Sequence, residues 1–305
     1  MILDGTLNYL ASEEAVESIK RDPYWPKWDS PWWHMTLLWE LGEAARIPER
    51  IVDAMVDALN THYLDLFPLR ETEMPPDKDP YRHVACHCAL GTMYRVLAGR
   101  GVDVDGRIPH LRPWFLRYQL ADGGLNCDEA VYTKQSPHSS IVSTLPPLEA
   151  VLFDTDRPLT DAENAFLDRG ADYLLKRKLF RSLSGGGKII DEAWLEPCFP
   201  RFYHYDVLRG LRFVTAWADR RDKPLPRDSV QEAVDAVETA LARADAGMRR
   251  KPWAEEKSLY FDGAGSWEMK NKAEPFELLE GLRAGAPLRR EWSSVKTLLR
   301  ACAAA

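Results

Sequence analysis

Much of what the chain does is bounded by what it lacks. Cysteine is sparse, five in 305 residues, an odd number and too few for a disulfide scaffold, so reduced thiols and a cytoplasmic location are expected. No apolar run approaches the ~20 residues that cross a bilayer, so no transmembrane segment is expected. The opening Met1-Ile2-Leu3-Asp4 has no basic segment leading into an apolar one, so no signal peptide is expected. Positive charge is not in excess: Lys+Arg 40 against Asp+Glu 47 leaves a net −7. Nucleic acid and anionic membranes, which are bound by clustered cations, are therefore not expected partners. No stretch alternates as a half-buried strand would. A Gly-x-Ser-x-Gly elbow and a glycine-rich string behind a strand are also missing, which excludes serine-hydrolase and nucleotide-binding readings.

What is present is a large apolar fraction, 45%, with 11 tryptophans, enough to bury a sizeable core. Prolines divide it. Pro31, Pro80, Pro137, Pro200 and Pro275, about 50 to 75 residues apart, each precede a stretch rich in apolar and aromatic residues. Those stretches, Trp32–Ala45, Tyr81–Ala98, His138–Phe153, Arg201–Ala218 and Phe276–Ala284, are apolar nearly all round a helix, so buried helices are expected there. Between them lie one-sided helices over Pro48–Phe67, Thr160–Lys178, Asp228–Ala246 and Pro287–Ala303. Thr160-Asp161-Ala162-Glu163 reads as a capping box. The alternation predicts an all-α chain: one α/α toroid domain over residues 1–305, of five to six helical hairpins with inner and outer rings. Residues 1–28 read as an N-terminal extension.

The first turns of the expected inner helices carry the chemistry. His34, His83, His138 and His204 occupy equivalent places one to four residues after a proline, which predicts a polar rim around a central cavity. Convergent helix N-termini favour an anionic or electron-rich ligand. Trp33, His34, His83, Arg201, Tyr203 and Trp267 are the expected substrate-binding residues, with Arg201 anchoring an anion. His204, Asp122, His138, Tyr205 and Asp206 are the expected acid–base groups. In His83-Val84-Ala85-Cys86-His87-Cys88 the two histidines share a helix face and suit one ion. Cys86 and Cys88, two apart on a helix, should point in different directions and serve as small buried hydrophobes.

Gln119-Leu120-Ala121-Asp122-Gly123-Gly124-Leu125, preceded by Arg112-Pro113-Trp114-Phe115-Leu116, resembles the QW-type repeat of squalene and terpenoid cyclases and the Gly-Gly turn of protein prenyltransferase β subunits. Gly265-Ser266-Trp267 and Ser184-Gly185-Gly186-Gly187 are further echoes, and the likeness spans mainly residues 80–280. It implies the α/α toroid. The cyclase acid motif Asp-x-Asp-Asp has its nearest match in Asp154-Thr155-Asp156-Arg157, which lacks the last aspartate, so direct squalene cyclisation is not implied. The prenyltransferase likeness implies zinc, with Asp122, Cys127 and His204 as the positional equivalents of that family's ligands. Asp122 and Cys127 are five apart where the family has Asp-x-Cys. The resulting expectation is an enzyme that acts on a small apolar or anionic organic substrate by acid–base or metal-assisted chemistry. A carbohydrate-active toroid (lyase or epimerase) and a non-catalytic peptide- or lipid-binding toroid are the alternatives.

Overall fold

In the computed structural model, residues 2–62, 86–243, 257–263, 266–270 and 285–303 are described. They are mostly helical, with a single two-stranded hairpin. None of the described helices is long and apolar enough to cross a membrane. The chain divides into two compact units, residues 1–85, 92–111 and 251–282 in one, and 86–91, 112–250 and 283–305 in the other.

The first unit holds α1 (Ile2–Leu10), α2 (Glu13–Arg21), α3 (Pro31–Glu40), α4 (Glu49–His62), most of α5 (His87–Gly99) and α6 (Val104–Arg107). In α2, Ser12 caps the N-terminus by accepting from the Ala15 amide at 3.2 Å. Glu13 and Glu14 lie at its positive end and Lys20 and Arg21 at its negative end, each favourable with the helix dipole. Residues 2–21, read from the sequence as an extension, form helices that pack on α3 and α4. Pro31 is the first residue of α3, as expected, and Trp32, Trp33 and His34 are buried behind it. Strands β1 (Ser258–Phe261) and β2 (Trp267–Lys270) pair antiparallel, against the expectation of no strand. Four residues each are too few to register as alternation. The turn between them is closed by Asp262, which exchanges bonds with Ser266 at 3.0 Å.

The second unit contains α7 (Leu111–Arg117, from Arg112 on), α8 (Ile141–Phe153), α9 (Asp161–Lys176), α10 (Val207–Arg221), α11 (Arg227–Ala242) and α12 (Gly285–Ala303). Helices α8 and α10, apolar all round in sequence, are buried along nearly their whole length. The one-sided α9 and α11 pack against each other and against α10, while α8 packs on α9 and α10, and α12 on α10. Buried and one-sided helices thus alternate along the chain and pack on one another within this unit.

The helix starts differ from expectation. Helix α8 begins at Ile141 after Ser140, not at Pro137, because the Ser140 amide bonds to the Leu125 carbonyl at 2.9 Å and stays extended. Helix α10 begins at Val207, because Asp206 caps it by accepting from the Arg209 amide at 2.9 Å. His138, Arg201, Tyr203, His204 and Tyr205 therefore precede their helices rather than sitting in the first turns. The expected helix Phe276–Ala284 and the opening of Tyr81–Ala98 lie outside the described residues.

The capping box forms as read. The Glu163 amide donates to Thr160 Oγ1 at 3.2 Å, and the Thr160 amide donates to Glu163 Oε2 at 2.8 Å. Glu163 also receives Arg112 at 3.2 Å and Arg157 at 2.8 Å. Burial pushes its pKa up, but the hydrogen bonds from Arg157 and Thr160 and the charge of Arg112 outweigh that and bring it to about 2. A carboxyl depressed on folding stabilises the folded state above its unfolded value, usually about 4.5, and loses that contribution as pH falls toward 2. Glu163→Gln is expected to cost about 3 kcal/mol at pH 7 and to flatten the decline of stability between pH 4.5 and 2. Denaturant midpoints measured across that range check it; an unchanged acid limb in the variant contradicts it.

Candidate metal centre

The site is assembled on the first turn of α8. The segment ahead of it, residues 119–127, runs along that turn and satisfies its backbone groups there, as buried amides require. Leu125 N–H donates to Thr144 Oγ1 at 2.8 Å, and Cys127 N–H donates to Ser143 Oγ at 3.0 Å. Asp122 accepts from the Ser139 hydroxyl at 2.5 Å and the Ser139 amide at 3.1 Å. The side chain of Gln119 donates to the carbonyls of Gly123 at 2.8 Å and Phe166 at 2.9 Å, tying the turn to α9. Gly123 has φ +97°, and a Cβ there would meet the Arg169 carbonyl oxygen at 2.3 Å. The Gln-x-x-Asp-Gly-Gly motif is thus a structural staple, and what it positions is Cys127.

The second wall is the start of α5. Its glycine, Gly91, lies against the α8 backbone, where a Cβ would come within 2.4 Å of Pro147 N. Cys86 is not on the helix but caps it, its carbonyl accepting from the Leu90 amide at 2.9 Å. That position lets its side chain turn back, so the expectation that Cys86 and Cys88 diverge fails. Their sulfurs are 2.9 Å apart. The Cys88 amide, in the first turn of the helix where no intrahelical acceptor is available, donates to Cys127 Sγ at 3.3 Å. All three sulfurs lie within 4.8 Å of one another, and Cys86 and Cys127 are half-buried while Cys88 is buried.

Electrostatics divides the three thiols. Hydrogen bonds from Cys127 and Cys88, aided by the Ala89 amide, hold the Cys86 thiol well below its usual range against the effect of burial. Those same contacts with Cys127 and Cys86, together with burial, push Cys88 up. Burial foremost, then the bond to Cys86, raises Cys127. A divalent ion would take the place of the protons held among the three sulfurs. Zinc binds thiolate sulfur at about 2.3 Å, so two sulfurs on one ion lie at most about 4.6 Å apart; the observed spread needs only small side-chain shifts to match. Between the two cysteines, His87 faces elsewhere. Its Nε2 is 3.3 Å from the Tyr132 hydroxyl, its ring packs among Phe115, Tyr118 and Tyr132, and burial lowers its pKa to about 4.

Of the zinc ligands implied by resemblance, Cys127 belongs to this group. Asp122 and His204 do not; among the described residues the cluster is Cys86, Cys88 and Cys127. Asp122 is held by Ser139 and lies 3.6 Å from Arg177. The side chain of His204 stacks on Tyr203, with ring centroids 4.6 Å apart. His138 is exposed, and its carbonyl accepts from Asn126 at 2.9 Å. Arg201 binds Asp206 at 2.6 Å and Glu291 at 2.6 Å, so its guanidinium is engaged by two carboxylates. Arg209 binds Glu149 at 2.6 Å and the His204 carbonyl at 2.9 Å. The Tyr205 hydroxyl donates to the Leu179 carbonyl at 2.7 Å, and burial raises its pKa well above the usual value.

In the first unit, Trp33 Nε1 donates to the Tyr24 carbonyl at 2.9 Å. His34 Nδ1 is 3.3 Å from Thr6 Oγ1, and burial lowers its pKa to about 3. Trp267 pairs with Phe261 across the hairpin, and its side chain is outside the description. His83 lies outside the described residues. Sequence reasoning missed Cys86 and Cys88 as partners of Cys127; the available signal was a Cys-x-Cys pair that a helix start, rather than a helix interior, brings together.

The close approach of α5 to α8 is testable at its glycine. Gly91→Ala should cost about 1–3 kcal/mol, the usual penalty of overpacking, since the obstructing atoms are backbone. Gly5→Ala, in α1 with nothing within 4 Å of the new methyl, should gain up to about 1 kcal/mol from helix propensity. Urea midpoints check both; equal stability of the two variants contradicts the packing described. Comparison of the chain with protein-family profiles, with curated proteins and with solved structures finds no match.

Proposed function

We propose that the protein is a metal-dependent enzyme with α/α-toroid architecture, whose thiolates Cys86, Cys88 and Cys127 hold a zinc ion. Its substrate is a small apolar or anionic organic molecule in a central cavity. The observation that carries the reading is the convergence of three sulfurs from two separate chain segments to within 4.8 Å. Among the described residues three ligands converge, and three protein ligands with one position left is the pattern of catalytic zinc, whereas structural zinc is closed by four. The pairwise packing of the alternating helices α8 to α12 and the stapled Gln119–Gly124 turn support the toroid part.

Bound zinc, held by Cys86, Cys88 and Cys127, would supply a Lewis acid. The chain's own residues prepare that site. Hydrogen bonds from Cys88 N–H to Cys127 Sγ and from Cys127 N–H to Ser143 Oγ fix the third sulfur, the outer-shell orientation that metal ligands need. Asp206 and Arg201 position the segment before α10 through their buried pair. A reducing compartment, as expected for a cytoplasmic protein, would keep the three thiols competent.

Metal analysis of protein purified anaerobically in reductant tests this. About one zinc per chain is expected, falling at least tenfold in Cys127→Ser and in Cys86→Ser, with helix content unchanged by circular dichroism. Cobalt substitution should give thiolate-to-metal charge-transfer absorption. Wild-type protein that takes up no stoichiometric zinc, or a Cys127→Ser protein that keeps it, overturns the reading.

A further inference from the structure

We propose that this centre is redox-gated: a hydroperoxide closes a disulfide between Cys86 and Cys88, withdrawing two of three ligands so that the metal leaves. The inference rests on the zinc reading above and adds its regulation. The geometry that points to it is the pair of sulfurs 2.9 Å apart. A disulfide has S–S of about 2.05 Å, so closure needs a movement of under about 1 Å.

The two cysteines differ in a way that orders the steps. Cys86 is half-buried and lies just before the first residue of α5, so it is the more reachable of the two. Cys88 is buried beneath it, at 6% exposure. The Cys86 thiolate attacks one peroxide oxygen, breaking the O–O bond; Cys86 becomes a sulfenic acid, and the leaving alkoxide takes a proton to become an alcohol. The Cys88 sulfur then attacks the sulfenic sulfur, forming S–S and expelling hydroxide, which leaves as water after taking a proton. Two sulfurs are oxidised by one each and the peroxide is reduced by two electrons. Cys127 stays behind, because its backbone is tied to Ser143 on α8. The remaining thiols are placed apart from this chemistry: Cys198 is buried against Asp206 at 3.6 Å, and Cys302 is on α12.

The test uses the zinc-loaded full chain and one equivalent of hydrogen peroxide, with zinc followed by a chromogenic chelator and cysteines by peptide mapping. Complete zinc release is expected with loss of two of the five thiols, a Cys86–Cys88 crosslink and an unmodified Cys127. Dithiothreitol and zinc should restore the starting state. Zinc retained after Cys86 is oxidised overturns the gate, as does a crosslink that includes Cys127 or release accompanied only by sulfinic acid. A protein that never binds zinc overturns the metal reading itself. Mapping the same peroxide-treated metal-free chain then separates that failure from failure of disulfide closure.

Discussion

The polar segment that leads into α8 and through its first turn is the constraint on which the site depends. Ser139, Ser140, Ser143 and Thr144 present side chains or amides to Asp122, Leu125 and Cys127 in register. A loop that runs into a packed interior must satisfy its amides, and an unmet buried donor costs about 1–3 kcal/mol. Thr144 and Ser143 meet two of them, those of Leu125 and Cys127. The same helix carries Pro146 and Pro147, whose backbone receives Gly91. One element therefore fixes both walls of the sulfur cluster, and the cluster exists because a glycine permits one wall to approach and hydroxyls hold the other.

A second polar system holds the segment before α10. Arg209 and Glu149 are almost wholly buried, as are Arg201 and Asp206. Buried pairs of this kind offset a large desolvation cost and are worth keeping mainly when their hydrogen bonds are complete. Here they are extensive: Asp206 accepts from Arg201, from the Cys198 and Arg209 amides, and caps the helix. Burial raises the Asp206 carboxyl, but Arg201 outweighs it and holds the group low. Residues that read in sequence as an anion anchor and an acid are, in structure, the clamp that shapes the chain around His204.

How legible this was in the sequence follows from how local each signal is. The Thr160–Glu163 box is decided within four residues, and it formed as read. Pro31 opens its helix for the same reason. The all-round apolar pattern of residues 141–153 and 207–218 correctly announced burial. Pro137 and Pro200 misled, because what starts α8 and α10 is a strand-like bridge to Leu125 in one case and a carboxylate cap in the other. Leu125 lies 15 residues before Ser140, and Asp206, though it adjoins its helix, lies six residues beyond Pro200. The hairpin was too short to show a period. Cys86 and Cys88 looked divergent only on the assumption of a helix through both; moving the helix start to His87 reverses that geometry. Cys127 was reached through the family resemblance, and its true neighbours were 39 and more residues away.

The proposed function turns on three cysteine sulfurs sharing one ion. Zinc-edge X-ray absorption on the metal-loaded protein measures it directly. Three sulfurs at about 2.3 Å and one oxygen or nitrogen at about 2.0–2.2 Å are expected, with the sulfur number falling when Cys88 is replaced by serine. A first shell made only of oxygen and nitrogen, or a sulfur number untouched by that replacement, would contradict the account.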